Sequence, residues 1–288
     1  MKWFKNNSWS LALLPAFLFT FCLVVYGLFM AAQESVTTLN GFSLEAYEKI
    51  FGNEAFLESL KYSLRIAFIS TTLSLILGLL LTKFLFETLK NQLARTVVWL
   101  PMLFPHFVWG YMMILLFSQT GWFSTLLHEL SLIDSPDQFP ILTNDRYGIG
   151  IIITYTLKEI PFVVLMLLPV YAQLNRDLPN VVKTLGGNKW HVFKTVEWPW
   201  LFPVLMEAGL IVFAFILAAF EVPYLLGTTY PKMVSVLTYE WFYQGDWSKR
   251  PESFAVMITV TAIIFGMLII LLSLVSRSRY RMMKGNGM

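Results

Sequence analysis

Two adjacent charged residues, Lys158 and Glu159, stand near the middle of an apolar stretch that runs from Gly150 to Tyr171. A charge at the depth of a bilayer centre costs free energy unless it is paired or hydrated. Neighbouring positions on a helix point in different directions, so each side chain needs its own partner. Glu221 stands at the end of a later apolar stretch. Two interpretations stay open: these charges line a path for a charged solute, or they form ion pairs that pack helices together.

Histidine and cysteine, which supply most metal ligands and many nucleophiles, are scarce and scattered. His106 lies in an apolar stretch, whereas His128 and His191 fall on opposite sides of the predicted membrane. Cys22 is the single cysteine, so one chain cannot build a disulfide or a cysteine-based metal site. An intramembrane enzyme that uses His106 or the adjacent charges as acid–base groups is an alternative, but no catalytic constellation supports it. We predict no catalytic residues and no metal site.

The composition places these charges in a membrane protein. Of the 288 residues, 57% are hydrophobic and 14% are charged, and the mean hydropathy is +0.63. Soluble domains contain about 45–50% apolar residues. A helix that crosses a hydrocarbon core of about 30 Å needs about 20 mainly apolar residues. Six runs of suitable length are present: Leu11 to Met30, Leu64 to Thr82, Val97 to Phe117, Gly150 to Tyr171, Val204 to Val222 and Phe254 to Val275.

The distribution of basic residues predicts the orientation. The segments between the runs carry thirteen Lys and Arg residues on the side of the N-terminus and seven on the other side. Because cytoplasmic loops are enriched in Lys and Arg, both termini are predicted to lie in the cytoplasm. A cleaved signal peptide at the first run is an alternative, although the run is longer than the about 7–15 apolar residues of such a peptide. The net charge of +3 fits this bias and does not indicate nucleic-acid binding.

The longest predicted inner segment lies between the fourth and fifth runs and reads QLNRDLPNVVKTLGGNKWHVFKTVEWPWLFP. Its chemistry predicts two short helices separated by a bend. Asp177 can cap the first helix, and Pro179 is tolerated in its opening turn. Gly186 and Gly187 can adopt the left-handed conformation that closes a helix, and Asn188 can cap the next helix.

The second helix of this segment is predicted to be amphipathic. Trp190, Phe193 and Val196 recur every three residues and form one apolar face. Trp198 precedes Pro199, which favours an end of the helix at this point. Taken alone, this pattern is typical of a helical hairpin that lies on the membrane surface.

The same segment resembles the signature loop of binding-protein-dependent ABC permeases, which reads E-A-A, three residues, G, nine residues, I-x-L-P. The matching positions are Asn180-Val181-Val182 for E-A-A, Gly186 for the glycine, Val196 for the isoleucine, Trp198 for the leucine and Pro199 for the proline. The spacing fits throughout, but the acidic residue and both alanines are replaced. Three segments outside the loop also resemble sequences of this family and support the resemblance: LPMLFPHFVWG, FEVPYLLGT and QGDW.

The resemblance covers roughly Phe56 to Val275 and implies an all-α polytopic membrane protein with six transmembrane helices, the type I ABC importer permease fold. It also implies that the loop couples the membrane subunit to a cytosolic ATPase. The implied coupling residues are Asn180, Val181, Val182, Leu185, Gly186, Lys189, Trp190, Phe193, Val196 and Pro199.

Further expectations about partners follow from the resemblance. Two ATP-binding cassette subunits would bind ATP and Mg, because this chain has no Walker A sequence, and the permease itself would not be an enzyme. A second permease subunit would complete the pathway, with a paralogue favoured over a second copy. A solute-binding protein would dock outside the bacterial inner membrane on loops that include Pro223 to Ser253. The FEVPYLLGT segment is similar to permeases for polyamines, ferric iron, thiamine or aminophosphonates.

The expected division of the chain is an N-terminal helix with an outer loop over residues 1–55, a permease domain over 56–276 and a basic tail over 277–288. Within the permease domain, the candidate translocation-path residues are Lys158, Glu159 and Glu221. The main alternative is a secondary transporter or channel driven by an ion gradient. Such proteins often contain internal repeats, and the sequence shows none that is convincing.

Overall fold

The protein is almost entirely helical. The computed structural model describes residues 8–38, 41–88, 98–174, 177–243, 245 and 247–285. The α-helices in this part of the chain are α1 (Ser8–Val36), α2 (Glu45–Gly52), α3 (Glu54–Thr88), α4 (His106–Phe117), α5 (Trp122–Glu129), α6 (Ile149–Gln173), α7 (Leu178–Thr184), α8 (Lys189–Val192), α9 (Trp198–Ala218), α10 (Glu221–Leu226), α11 (Val234–Tyr243) and α12 (Arg250–Gly285). Strands β1 (Thr37–Thr38) and β2 (Gly41–Phe42) pair antiparallel, with Thr37 opposite Phe42. The predicted all-α class is confirmed.

Five helical stretches among the described residues are long and apolar enough to cross a membrane: Leu13–Val36, Glu54–Phe86, Ile149–Gln173, Lys189–Ala218 and Trp247–Ser273. They overlap with five of the six runs predicted from the sequence. Each contains at least 24 residues, which corresponds to about 36 Å of helix and exceeds a hydrocarbon core of about 30 Å.

The predicted continuous span from Val97 to Phe117 is wrong, and Val97 itself lies outside the described residues. The structure has a 3₁₀ turn at Leu100–Leu103, an extended Phe104, and then α4, which begins after Pro105. A proline restricts the residue before it to extended backbone and has no N–H for a helical hydrogen bond. The 12 residues of α4 extend about 18 Å, which is too short to span the membrane. Helix length therefore does not confirm the count of six spans.

The fifth predicted span, Val204 to Val222, is displaced along the sequence. A continuous helical stretch begins at Lys189 and ends at Ala218, and Ala219 is extended. Pro199 does not end this helix, because it occupies the first turn of α9 directly after a π-helical turn at Phe193–Glu197. A π turn widens the backbone hydrogen-bond pattern and so accommodates a residue that cannot donate. The predicted break at Trp198 is therefore wrong.

The chain divides into two compact units, Met1–Leu57 with Leu237–Ala262 and Glu58–Val236 with Ile263–Met288. The predicted domain boundaries stay a prediction. In the first unit the side chains of α1 are mostly exposed, as expected for a helix that faces lipid or another subunit. The hydroxyls of Ser35 and Tyr47 lie 2.9 Å apart and tie α1 to α2. On α2, the hydrogen bond and the charge of Glu45 raise the pKa of the exposed Lys49 amine.

The second unit has its core between α6 and α9. Buried Val163, Leu167 and Tyr171 of α6 pack with Leu201 and Leu205 of α9. Partly buried residues of α3, among them Leu75 and Leu79, cover this core. Helices in lipid associate by close packing, since lipid tails compete with any apolar side chain. Packing of this kind fixes the C-terminal half of α6, from which the next interhelical segment leads off.

Glycine allows α3 and α6 to approach closely. A Cβ atom on Gly78 would lie 2.6 Å from the Cβ and Cγ1 atoms of Val163, which no real side chain tolerates. On the same two helices the Ser74 hydroxyl lies 3.3 Å from the carbonyl of Thr156. Small residues at such a crossing are typical of membrane helix pairs. Gly78 therefore allows the close packing of α3 and α6.

Candidate functional site

The segment after α6 folds into two short helices at an angle, as the sequence predicts. We call residues 177–192 the loop hairpin. Helix α7 ends in a Schellman motif: the N–H of Gly186 donates to the carbonyl of Lys183 at 3.0 Å, and that of Gly187 donates to Val182 at 2.9 Å. Gly186 has φ +82°, the left-handed region that strongly favours glycine. The bend is therefore set by the glycine that the motif spacing singles out.

Both ends of the bend are held by local hydrogen bonds. The Oδ1 atom of Asn188 accepts the backbone N–H of His191 at 3.0 Å and so caps α8, as expected. The predicted side-chain cap at Asp177 is absent from the described geometry, because it is the Asp177 carbonyl that accepts the N–H groups of Asn180 and Val181. A backbone acceptor at this position satisfies the same donors without needing the carboxylate.

The loop hairpin presents an apolar surface away from the helix bundle. Leu178, Val181 and Leu185 recur at three- and four-residue spacing on α7 and its cap, and their exposed fractions are 43%, 51% and 83%. Trp190 of α8 is also exposed, and its ring stacks on Phe193. Several exposed apolar side chains within one short segment between membrane helices mark a contact surface for another molecule. We call Leu178, Val181, Leu185 and Trp190 the hairpin face.

The predicted coupling residues fall into two groups. Asn180, Val181, Leu185, Gly186, Lys189 and Trp190 are exposed, whereas Val196 is buried and Val182, Phe193 and Pro199 are partly buried. The first group can contact a partner directly. The second group, which belongs mainly to the turn that leads into α9, attaches the hairpin to the membrane helices.

A buried carboxylate holds this attachment. Glu197, in the π turn, has its two carboxylate oxygens 3.0 and 3.2 Å from the Nζ atom of Lys83 on α3. The hydroxyl of Tyr171 on α6 donates to the same carboxylate at 3.1 Å, and the Lys83 ammonium lies 5.1 Å from the centre of the Phe193 ring. We call Lys83, Tyr171 and Glu197 the Glu197 cluster. It ties the base of the loop hairpin to two membrane helices.

The charges predicted in the middle of α6 have distinct partners. Lys158 is buried and its Nζ atom donates to the carbonyl of Pro101 at 2.8 Å. The indole N–H of Trp109 donates to the same carbonyl at 3.1 Å. Pro105, four residues after Pro101, has no N–H that could occupy this carbonyl in a helix. The ammonium of Lys158 therefore satisfies a backbone acceptor that the helix break leaves available.

Glu159 pairs with a histidine of α4. The Nε2 atom of His106 lies 3.0 Å from Oε1 of Glu159, so Nε2 carries the hydrogen, since a carboxylate only accepts. The His106 ring also packs on Phe215 of α9, with ring centroids 4.5 Å apart. The Nε2 atom of His106 is thus hydrogen-bonded and its ring is packed against a neighbouring helix. We call Lys158, Glu159, His106, Pro101 and Trp109 the mid-helix cluster.

Glu221 does not end a membrane helix, as the sequence suggested, but begins the short helix α10 after the extended Ala219. Its side chain is exposed. Glu221 and Glu159 are the carboxylates in electrostatic reach of Tyr155, whose ring is fully buried in α6. The Tyr155 hydroxyl has no hydrogen-bond partner among the described residues. Tyr155 therefore interacts electrostatically with Glu159 and Glu221. Lys158 is also in electrostatic reach of Glu159, but its hydrogen bond goes to the Pro101 carbonyl.

Sequence reasoning missed the Glu197 cluster and Tyr155. Lys83 and Glu197 are 114 positions apart, so no local spacing connects them. Glu197 occupies the unspecified position of the signature loop. One indication of its role is present in the sequence: it is a single acidic residue in a turn that is otherwise apolar and basic. No group of three or more His, Cys, Asp or Glu residues able to hold a metal occurs in the described part of the chain.

The fold and this site define a multi-span membrane protein with an exposed interhelical loop that is anchored to its helices. The chain matches the family described as the binding-protein-dependent transport system inner membrane component over residues 70–283. The chain therefore belongs to this family, and the family predicted from the loop signature is confirmed.

Relatives with curated names are transport-system permeases. The chain is 28% identical over 210 residues to the inner membrane ABC transporter permease protein YnjC of Escherichia coli K12, a match that covers 71% of this chain and 38% of YnjC. It is 26% identical over 206 residues to the probable sulfate transport system permease protein cysT of Marchantia polymorpha, covering 69% of this chain and 68% of that protein. The thiamine transport system permease protein ThiP of Escherichia coli K12 is 27% identical over 175 residues, covering 58% of this chain and 30% of ThiP. The chain thus spans less than half of the length of YnjC and ThiP.

Solved structures share the fold. A bacterial ABC transporter involved in the import of the acidic polysaccharide alginate superimposes with a TM-score of 0.79 at 17% identity, covering 96% of this chain and 98% of that chain. The methionine transporter MetNI in inward-facing conformations gives a TM-score of 0.54 at 15% identity, covering 77% of this chain and 95% of that chain. The predicted importer-permease fold agrees with both.

Proposed function

We propose that this chain is the permease subunit of an ATP-driven importer and that the loop hairpin is its contact with a cytosolic ATPase. The hairpin face carries this proposal, because it exposes Val181, Leu185 and Trp190 at one end of the membrane helices. The helix that follows the bend is continuous from Lys189 to Ala218, so a displacement of the hairpin moves a membrane helix directly. An anchored apolar surface of this kind suits a partner that drives the membrane subunit between two states.

The proposed partners supply ATP hydrolysis, the second half of the pathway and delivery of the solute. Two ATP-binding cassette subunits would bind ATP and Mg and hydrolyse the nucleotide, and the permease itself would perform no chemistry. A second permease subunit, a paralogue in our proposal, would cover the exposed apolar sides of the helices and complete the pathway. An extracytoplasmic solute-binding protein would deliver the solute. One related structure is described as an alginate ABC transporter in complex with an alginate pentasaccharide-bound periplasmic protein, which supports an assembly of this type.

For the pathway, the geometry favours Glu159 and Glu221 over Lys158. Lys158 is bonded to the Pro101 carbonyl and holds the broken segment before α4 against α6. Glu221 is exposed, and Glu159 is in electrostatic reach of Tyr155, whose hydroxyl has no hydrogen-bond partner in the described part of the chain. Polar side chains at this depth are expected where water or a solute passes. We therefore assign Lys158 to packing and the two carboxylates to the solute path.

The solute class stays a prediction. Relatives named for sulfate and thiamine transport show that similar membrane subunits are found in systems for small charged solutes. Two carboxylates on the path favour a cationic solute, as in the polyamine, ferric iron and thiamine classes predicted from the sequence. Transport assays with each class in turn, using the binding protein of the system, test this assignment.

The proposed orientation has both termini in the cytoplasm of a bacterial cell, with the loop hairpin on the same side. A topology reporter fused after Arg281 is expected to be active in the cytoplasm. A reporter that is active only outside the cell contradicts the orientation and removes the hairpin from the reach of a cytosolic ATPase.

Co-purification tests the proposed function itself. The intact chain is expected to retain an ATPase subunit through detergent extraction, and Val181→Asp with Leu185→Asp is expected to release it, because charges in the hairpin face oppose apolar burial. Lys183→Asp, an exposed change on the same helix, serves as a matched control. Solute uptake that follows an ion gradient and proceeds without ATP would instead support a secondary transporter.

A further inference from the structure

A basic pocket of about 480 Å³ lies at the end of α6 opposite to the loop hairpin. Helix α6 contains 25 residues and is about 37 Å long, so the two features lie on opposite sides of a membrane. Three basic and three tyrosine side chains line the pocket: Lys61, Arg65, Arg146, Tyr62, Tyr147 and Tyr230. We call this cavity the basic pocket. Its volume accommodates a few side chains but not a folded domain.

The loop that carries Arg146 is held rigidly in place. The buried carboxylate of Asp145 accepts the backbone N–H groups of Tyr147, Ile149 and Gly150 at 3.0, 2.9 and 3.3 Å. Three such bonds, one from the preceding loop and two from the first turn of α6, satisfy the Asp145 charge within the protein. Asp145 therefore positions the rim of the basic pocket without occupying it, and the exposed Arg146 projects from an ordered backbone.

Arg65 is also positioned before any ligand arrives. One guanidinium N–H donates to the carbonyl of Tyr147 at 3.0 Å, and the guanidinium lies 5.3 Å from the centre of the Tyr62 ring. The Tyr62 hydroxyl is buried and has no hydrogen-bond partner among the described residues. A guanidinium held in this way has further N–H groups in a planar fork that matches a carboxylate.

The charge of the basic pocket favours an anion. Its lining carries three basic residues and one acidic residue, Glu58, whose carboxylate lies 2.9 Å from Lys61. After this pair is counted, the positive charges of Arg65 and Arg146 are not balanced by any other acidic residue of the described lining. Arginine and tyrosine are also the residues enriched at the centres of protein–protein contacts, because they combine a large apolar area with polar ends. A carboxylate presented by a partner protein satisfies each of these features.

We propose that the basic pocket is a docking site for acidic side chains of the extracytoplasmic solute-binding protein, with Arg65 and Arg146 as the residues that bind the carboxylates. This proposal rests on the proposed function, because it requires an importer that receives its solute from such a protein. The site explains why two arginines and three tyrosines are gathered at the face opposite to the hairpin, where an ATPase has no access.

The test uses the complete transporter in nanodiscs and its loaded binding protein. Arg65→Glu with Arg146→Glu is expected to raise the Kd for the binding protein by at least about tenfold and to reduce its dependence on salt concentration, because complementary charges govern association. Uptake is expected to recover at saturating binding protein. ATPase co-purification and basal ATP hydrolysis are expected to stay unchanged, so a failure of the proposed function is distinguishable from a failure of this site.

Lys49→Glu is the matched control, since Lys49 is an exposed basic residue of α2 outside the pocket. It is expected to leave the Kd within about twofold, because exposed ion pairs contribute little. An unchanged Kd in the double arginine variant overturns the proposal. An unchanged Kd with a raised KM for the solute assigns the pocket to an anionic solute, and an effect seen only in nanodiscs with anionic lipid assigns it to a lipid headgroup; both results also overturn docking.

Discussion

The Glu197 cluster and the mid-helix cluster both place a lysine against an oxygen acceptor from a distant segment, but the acceptors differ. In the Glu197 cluster Lys83 contacts a carboxylate, which Tyr171 also binds. In the mid-helix cluster Lys158 contacts the backbone carbonyl of Pro101. A carboxylate belongs to a side chain, so a mutation can remove it or move it to the partner position. A backbone carbonyl is present whatever the side chain, and its position is set by the backbone conformation.

The difference indicates different roles. The Glu197 cluster joins three separate parts, namely the base of the loop hairpin, α3 and α6, through a charge pair whose partners lie on separate elements. The mid-helix cluster fixes an irregular segment against α6 and satisfies a backbone group that lipid would leave unbonded. Disturbing the first is therefore expected to affect coupling, and disturbing the second is expected to affect assembly or the solute path.

The largest effect is expected for Glu197→Ala. It leaves the partly buried Lys83 without its carboxylate, and removing one partner of a buried ion pair costs about 3–5 kcal/mol. Because Lys83 is 29% exposed, we expect the lower end of this range or less. Uptake is expected to be abolished, and ATP hydrolysis is expected to lose its stimulation by the loaded binding protein. Uptake and ATPase assays on reconstituted transporter measure both.

An exchange of the two charges separates coupling from simple folding. Lys83→Glu with Glu197→Lys restores an ion pair between the same elements and is expected to recover part of the uptake that either single change abolishes. Glu197→Gln keeps a hydrogen-bond acceptor for Tyr171 and is expected to lie between wild type and Glu197→Ala. Equal and full uptake in all of these variants would show that the cluster plays no part in coupling.

The next largest effect is expected for Gly186→Val. Left-handed backbone costs an L-residue about 1–2 kcal/mol, and more for a β-branched side chain, although the space around Gly186 is open. The helices are expected to insert normally, because neither apolar length nor flanking charge changes. We expect normal membrane abundance with lost ATPase association and lost uptake, measured by quantitative co-purification.

Two further variants sharpen this test. Gly186→Asn is expected to keep most of the uptake, since asparagine tolerates the left-handed region. Gly187→Val is also expected to be damaging, but for a different reason: a Cβ atom there would lie 2.6 Å from Cγ1 of Val182 and 2.8 Å from its carbonyl oxygen. If Gly186→Val supports full ATP-driven uptake, the loop hairpin is not the coupling element.

These two regions also show what the sequence could predict. The bend at Gly186 and the cap at Asn188 depend on residues a few positions apart, so their local chemistry predicted them. The partners of Lys158 and Glu159 lie 57 and 53 positions away, and Lys83 lies 114 positions from Glu197. Such pairs are decided by how helices pack, which a single sequence does not encode in any local spacing.

The prediction of a continuous third span was wrong for a related reason. Its composition is apolar enough to cross a membrane, but Pro101 and Pro105 break it into a 3₁₀ turn and a 12-residue helix. At Pro199 the opposite error occurred, because a π turn accommodated a proline that was expected to end the helix. Whether a proline interrupts a helix depends on the hydrogen bonds that neighbouring segments offer.

A moderate effect is expected for Lys158→Met. The change keeps the length of the side chain but removes the donor to the Pro101 carbonyl, which leaves the Trp109 indole as its described partner. An underbonded buried acceptor costs about 1–3 kcal/mol. We expect reduced yield of the assembled transporter and a lower Tm, with unchanged solute preference in the protein that remains. A change in solute preference would contradict the assignment of Lys158 to packing.

The smallest but most informative effect is expected for Glu159→Gln. The amide oxygen still accepts the N–H of His106, so the packing contact at 3.0 Å survives while the negative charge is lost. If Glu159 only packs, assembly, uptake and solute preference stay at wild-type values. If it lines the path, the charge acts on the solute, and we expect wild-type assembly with a several-fold rise in KM for a cationic solute. Glu221→Gln is then also expected to raise the KM, because both carboxylates interact electrostatically with Tyr155.

A raised KM for Glu159→Gln together with an unchanged KM for Glu221→Gln would confine the path to α6. Wild-type KM values in both variants would show that the mid-helix cluster is purely structural.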